Sequence, residues 1–142
     1  SRMLADPYFR ETTPKSTGLE YFSLSWLDTM LGESALNPVD VQTTLAELCA
    51  QNVADSLAVA GLPGRLLVCG GGVHNRFLMQ RIAAALPDVV VESTAGHGTD
   101  PDWVEGLLFA WLARERLAGN TQDTAAITGA DHPVLLGEIH EP

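Results

Sequence analysis

Apolar residues recur along this chain at helical spacing, interrupted by two short unbroken apolar runs. Phe22, Trp26, Leu27 and Met30 lie three and four apart, which predicts a short helix with one apolar face, closed by Gly32. Asn37, Pro38 and Asp40 then supply a cap, a first-turn proline and a first-turn carboxylate. Behind them Val41, Leu45, Cys49, Val53 and Leu57 form an i, i+4 row up to Gly61, predicting a helix of about 23 residues packed along its whole length. Leu62, Pro63 and Gly64 turn the chain. Leu66, Leu67, Val68 and Cys69 read as a strand buried on both faces. Phe77, Leu78, Ile82 and Leu86 return to helical spacing until Pro87, and Val89, Val90 and Val91 form a second strand. Helix, strand, helix, strand implies a parallel pair with a right-handed crossover, hence an α/β fold with a βαβ core and long covering helices.

The last long helix is capped by Thr99 or Asp100 and opened by Pro101. Val104, Leu107, Leu108, Trp111 and Leu112 line it as far as Gly119, with Arg114, Glu115 and Arg116 as the solvated face. Glu105 breaks this pattern, because helical spacing stacks it with Leu108, Phe109 and Leu112. Two readings stand: a carboxylate favoured by the helix dipole, although that effect fades after the first turn and Glu105 lies about one turn in, or a carboxylate facing a cleft where it orients a hydroxyl or water. Beyond Asn120, the residues Thr121, Gln122 and Asp123 read as a polar loop, Ile127 to Ala130 as a short strand and Val134 to Ile139 as a last edge strand. At the other end Ser1 to Leu4 read as the interior of an element, followed by a turn-rich loop from Thr12 to Gly18.

A chain of 142 residues with 46% hydrophobic content is one domain's worth and can form a core. Its 18 acidic and 8 basic residues give a formal charge of -10, which repels nucleic acid and anionic lipid. No apolar run approaches the roughly 20 residues that cross a bilayer, and no signal-peptide layout opens the chain, so a soluble protein is expected. Cys49 and Cys69 read as small core residues rather than a disulfide pair, which fits a reducing, cytoplasmic setting.

Candidate chemistry centres on Gly70, Gly71 and Gly72, placed between strand and helix. Without Cβ atoms they let a ligand approach the backbone, and they reach positive φ without strain. Asn75 is an N-cap, and the helix behind it offers free N–H groups to an anion or a polar ring. This suggests a nucleotide or phosphate site. Neither Gly-x-Gly-x-x-Gly nor a P-loop ending is present, so a tight structural turn stands beside it. Lys15, Ser16, Thr17 and Gly18 could contact phosphate, but a solvated loop uses the same residues. The Ser93 to Thr99 loop lies at the carboxyl edge of the second strand, where ligands bind in open α/β sheets. His97 in that loop, like His74, is either a ligand contact or simply exposed.

Asp6-Pro7-Tyr8-Phe9, Pro14-Lys15-Ser16-Thr17-Gly18, Cys69-Gly70-Gly71-Gly72 with Asn75 three residues on, Glu105 followed by Phe109-Ala110-Trp111-Leu112-Ala113, and Thr128-Gly129-Ala130 together resemble the anhydro-N-acetylmuramic acid kinases. The five segments keep their order and spacing over nearly the whole chain. The resemblance implies a bacterial, cytoplasmic enzyme of peptidoglycan recycling in the actin-like (RNase H-like) ATPase and sugar-kinase superfamily, with two α/β lobes around a cleft. Such kinases use ATP, Mg2+ and water to open 1,6-anhydro-N-acetylmuramic acid and phosphorylate its 6-oxygen. The chain then corresponds to the C-terminal, adenosine-side lobe, with Gly70, Gly71, Gly72 and Asn75 on the nucleotide and Glu105 facing the sugar and attacking water. The family's Gly-, Ser- and Asp-rich phosphate loop, an Asp resembling a general base and a Gly-Pro-Gly-Asn loop have no counterpart here. The resemblance therefore implies a partner lobe, a possible homodimer and a segment inactive alone. The alternative is a non-catalytic nucleotide-binding or interaction module.

Overall fold

The computed structural model describes residues 2–12, 14–33, 35–61 and 64–140. The expectations for Ser1, Thr13, Leu62 and Pro63 lie outside them. In chain order the elements are α1 (Leu24–Leu31), α2 (Pro38–Ala60), β1 (Arg65–Val68), α3 (Arg76–Ala85), β2 (Val90–Ser93), α4 (Val104–Ala118) and α5 (Ala125–Thr128), with 3-10 turns at Met3–Ala5, Pro7–Arg10, Gly71–His74 and Thr94–His97. They form two compact units, one of residues 1–4 and 31–104 and one of residues 5–30 and 105–142.

In the first unit α2 starts and stops as its sequence dictates. Asn37 Oδ1 accepts from the Val39 amide at 2.9 Å, Pro38 is the first helical residue, and Gly61 at φ 66° closes the helix by donating to the Leu57 carbonyl. β1 and β2 pair in parallel, Arg65 opposite Val90 and Val68 opposite Ser93. A parallel pair needs a crossover, and α3 supplies it. The core is a seam between α2 and α3, where Ala50 and Ala54 meet Ile82 and Leu86, with Val53, Leu57, Leu66, Leu78 and Val91 packed around them. The small alanines let α3 lie close, and burying Ile82 contributes about 1.5–3 kcal/mol. Arg81 of α3 also bonds Glu47 of α2, Nη2 to Oε2 at 3.1 Å.

Three expectations for this unit change. The buried residues of α2 are Leu48, Ala50 and Ala54, so the helix does not pack along its whole length on the Val41 to Leu57 row, and Cys49 is exposed. β1 stops at Val68, and its burial alternates, leaving Leu67 43% exposed and Cys69 exposed beyond it. Alternation follows from the sheet having two strands: Leu66 and Val91 face the helical core, while Leu67 points the other way. Both cysteines are free, but neither is a core residue.

In the second unit, Asp6 caps the turn at Pro7–Arg10 by accepting from the Tyr8 amide at 3.0 Å. Tyr8, Phe9, Tyr21, Phe22 and Trp26 cluster around it, with neighbouring ring centroids from 4.9 to 5.8 Å apart. Gly32, at φ 63°, follows α1 as expected. At the end of the first unit, the helix expected from Pro101 begins only at Val104, because Asp100 Oδ1 accepts from the Asp102 amide and folds the intervening residues into a turn. Glu115 is not on a solvated face: it accepts from Asn120 Nδ2 at 2.8 Å and Arg114 Nη2 at 2.6 Å, and those two bonds, the first the larger, hold its carboxyl below the usual range.

The two strands expected after Asn120 do not form. Ala125–Thr128 is a helical turn closed by Gly129 at φ 75°, with the Asp123 carboxylate accepting from the Ala125 amide at 3.1 Å. Val134 makes a single antiparallel bridge to Gln122, and Gly137 at φ 81° breaks the extended run beyond it.

Candidate functional site

The glycine turn lies at the carboxyl end of β1. Gly70 takes φ 77°, a conformation side-chain-bearing residues rarely adopt, and its amide donates to the Pro101 carbonyl at 2.9 Å. That conformation and that bond fix the backbone at the start of the turn. Gly71 and Gly72 differ: a Cβ on Gly71 would meet nothing within 4 Å, and the two amides donate to no acceptor among the described residues. Gly71 and Gly72 open the 3-10 turn that ends at His74, so α3 does not start directly at the glycines. Asn75 is extended and caps α3 by accepting from the Leu78 amide at 3.1 Å. Its side chain is thus occupied in holding the helix start.

The loop after β2 is built just as locally. Ser93 Oγ accepts from the Ala95 amide at 3.2 Å, and Gly98 at φ 82° ends the turn at Thr94–His97. His97 Nε2 lies 2.7 Å from Glu92 Oε2, and Arg65 Nε lies 3.6 Å from the same oxygen. The histidine hydrogen bond, the largest influence, lowers the Glu92 pKa against the opposing effect of burial, and the Arg65 charge adds a smaller push downward. His74, at the end of the glycine turn, lies 2.9 and 3.0 Å from the two carboxylate oxygens of Asp102. Between turn and loop opens a cleft of about 710 Å³ lined by Val73, His74, Ser93, Ala95, Gly98, Asp100, Pro101 and Asp102. The structure thus brings His74 to the cleft.

Glu105 is the second residue of α4 and is exposed, without a hydrogen-bond partner among the described residues. It stands in the first turn rather than beyond it, so the dipole reading applies more directly than the sequence suggests. Its row is not a buried stripe either, since Leu108 is 50% and Phe109 61% exposed. Lys15 donates to the Tyr8 carbonyl at 3.1 Å and sits 4.6 Å from the Tyr8 ring centre, which fits the structural reading of its loop. Asp102 escaped the sequence reading because the expected helix start hid it inside a first turn. The signal was Asp100-Pro101-Asp102, which reads equally well as a side-chain-capped turn.

The chain was compared with known proteins. The family model for anhydro-N-acetylmuramic acid kinase matches residues 1–142. An anhydro-N-acetylmuramic acid kinase of Xanthomonas campestris pathovar campestris is 52% identical over 139 residues, 97% of this chain and 37% of that protein. Proteins of the same name from Pseudomonas syringae pathovar tomato and Xylella fastidiosa are each 47% identical, over 98% and 97% of this chain and 39% and 36% of their own lengths. The chain thus spans little more than a third of the length of these relatives. With a match running from first residue to last, the chain belongs to the anhydro-N-acetylmuramic acid kinase family.

Proposed function

We propose that this chain is the C-terminal, adenosine-side lobe of an actin-like sugar kinase that opens 1,6-anhydro-N-acetylmuramic acid with water and transfers the γ-phosphoryl group of ATP to its 6-oxygen. The observation that carries the reading is the turn at Gly71 and Gly72, which has open space where a Gly71 side chain would stand, two amides with no acceptor among the described residues and a cleft within reach of its His74 end. Backbone amides without side chains in front of them suit a phosphate or a polar ring. Gly70 sets the turn, Gly71 and Gly72 receive the nucleotide, and Asn75 keeps the α3 start in place. ATP supplies the phosphoryl group. Glu105 orients the attacking water or a sugar oxygen, a task that suits an exposed carboxylate with no competing partner. Mg2+ accompanies the ATP, as the kinase family implies.

The test is a chimaera in which these residues replace the matching 139 residues of the Xanthomonas campestris relative. It should phosphorylate 1,6-anhydro-N-acetylmuramic acid in the presence of ATP. A folded chimaera without turnover would overturn the reading.

A further inference from the structure

The segment from Thr94 to Asp102 is held in the first unit by two histidine–carboxylate pairs. His97 bonds Glu92 behind it, and His74 reaches from the glycine turn to Asp102. A third tie, the Gly70 amide to the Pro101 carbonyl at 2.9 Å, runs beside the second pair. The His74 and Asp102 side chains are 61% and 54% exposed, so their pairing contributes little to stability. It does supply a distance. With Nε2 almost equally far from both Asp102 oxygens, it sets how far the Asp100 to Asp102 wall stands from the turn, and both residues line the cleft.

We propose that His74 and Asp102 are positioning residues, a clasp that sets the width of the cleft beside the nucleotide turn. The inference rests on reading Gly71 and Gly72 as the nucleotide turn. The clasp reaches the ligand through the backbone it fixes: His74 is joined to Gly72 by Val73 alone, so releasing it frees the turn to shift against the loop. It acts on binding rather than on the chemical step, because neither residue is needed to accept or donate a reacting proton.

In the chimaera described above, His74→Ala and Asp102→Ala should each raise the KM for ATP by at least about threefold, with kcat within about twofold and the sugar KM unchanged. The double variant should be no worse than either single one, since both break the same interaction. His74→Gln, whose amide can still donate to Asp102, should restore most of the affinity. An unchanged ATP KM in the two alanine variants, additive losses in the double variant, or a parallel rise in the sugar KM would overturn the clasp. If the unsubstituted chimaera neither binds nor uses ATP, the nucleotide reading falls and the clasp with it; if it uses ATP normally and the variants do too, the clasp alone falls.

Discussion

Trp26 Nε1 donates to Asp6 Oδ2 at 2.8 Å while the Tyr21 hydroxyl donates to Asp6 Oδ1 at 2.7 Å. One carboxylate thereby ties together the turn at Pro7–Arg10, the aromatic cluster and α1. Asp6→Asn would set an NH2 group against one of these donors. The expected loss is about 1–3 kcal/mol of stability, the cost of leaving a sheltered donor unpaired. Urea titration followed by tryptophan fluorescence measures it, and an unchanged midpoint would show that the aromatic stacking, not the carboxylate, holds this region.

The same carboxylate confers a pH dependence of known sign. The Trp26 hydrogen bond first, then those of Tyr21 and the Tyr8 amide, hold its pKa below the ordinary value against the opposing effect of burial. The unfolded chain therefore takes up the proton at higher pH than the folded one. Asp6 contributes stability that is fully present above the unfolded carboxylate pKa and is lost as pH falls through the lowered folded value. Melting curves from about pH 6 downward, for the protein and Asp6→Asn, should converge as acid removes the difference. A gap that stays constant would contradict the linkage.

Gly71→Val tests the nucleotide turn cleanly because the fold has room for it: a Cβ there meets no atom within 4 Å, and Gly71 is not at positive φ. In the chimaera the variant should melt normally and lose ATP affinity by far more than sugar affinity. Equal loss of both would mean general misfolding, and no loss would take the turn out of the site. Gly70→Val is the contrast, since φ 77° with ψ 178° makes a side chain strained there whatever binds, at a cost of about 1–3 kcal/mol.

Glu105→Gln separates catalysis from helix electrostatics. If the carboxylate orients water or a sugar oxygen, kcat of the chimaera should fall at least about tenfold with ATP affinity and melting temperature kept. A first-turn dipole role predicts the opposite pattern, about 0.3–1 kcal/mol of stability lost with turnover nearly normal.

The 142-residue chain alone should show no phosphorylation of 1,6-anhydro-N-acetylmuramic acid. Phosphoryl transfer depends on groups placed on both sides of the transferred phosphoryl, and the relatives are nearly three times as long as the part matched here. Turnover above a no-enzyme control would contradict this.

Local signals in the sequence were reliable where one residue decides the geometry. Asn37, Pro38 and Gly61 bound α2 as expected, Asn75 caps α3, and the order of apolar runs made the sheet parallel. Signals that depend on what covers an element were not. The run from Leu66 to Cys69 is apolar enough for a strand covered on both faces, yet with one neighbouring strand and one helical face only alternate side chains are sheltered. Val134 to Ile139 carries strand-forming residues, but Gly137 turns left-handed within it. For the candidate site, the glycines were legible because lacking a Cβ is visible in sequence. The pairing of His74 with Asp102 was not, since it joins residues 28 apart through a fold that brings the ends of β1 and β2 together.

The narrow seam of Ala50, Ala54, Ile82 and Leu86 also sets how the first unit comes apart. Its four side chains form one buried cluster, so opening the seam exposes them together. Amide hydrogens of α3 near Ile82 and of α2 near Ala54 should therefore exchange with solvent last and together, as one cooperative block. Those at the start of α2 lie outside the seam, as do the exposed residues after β2, and they should exchange through smaller openings that leave the block intact.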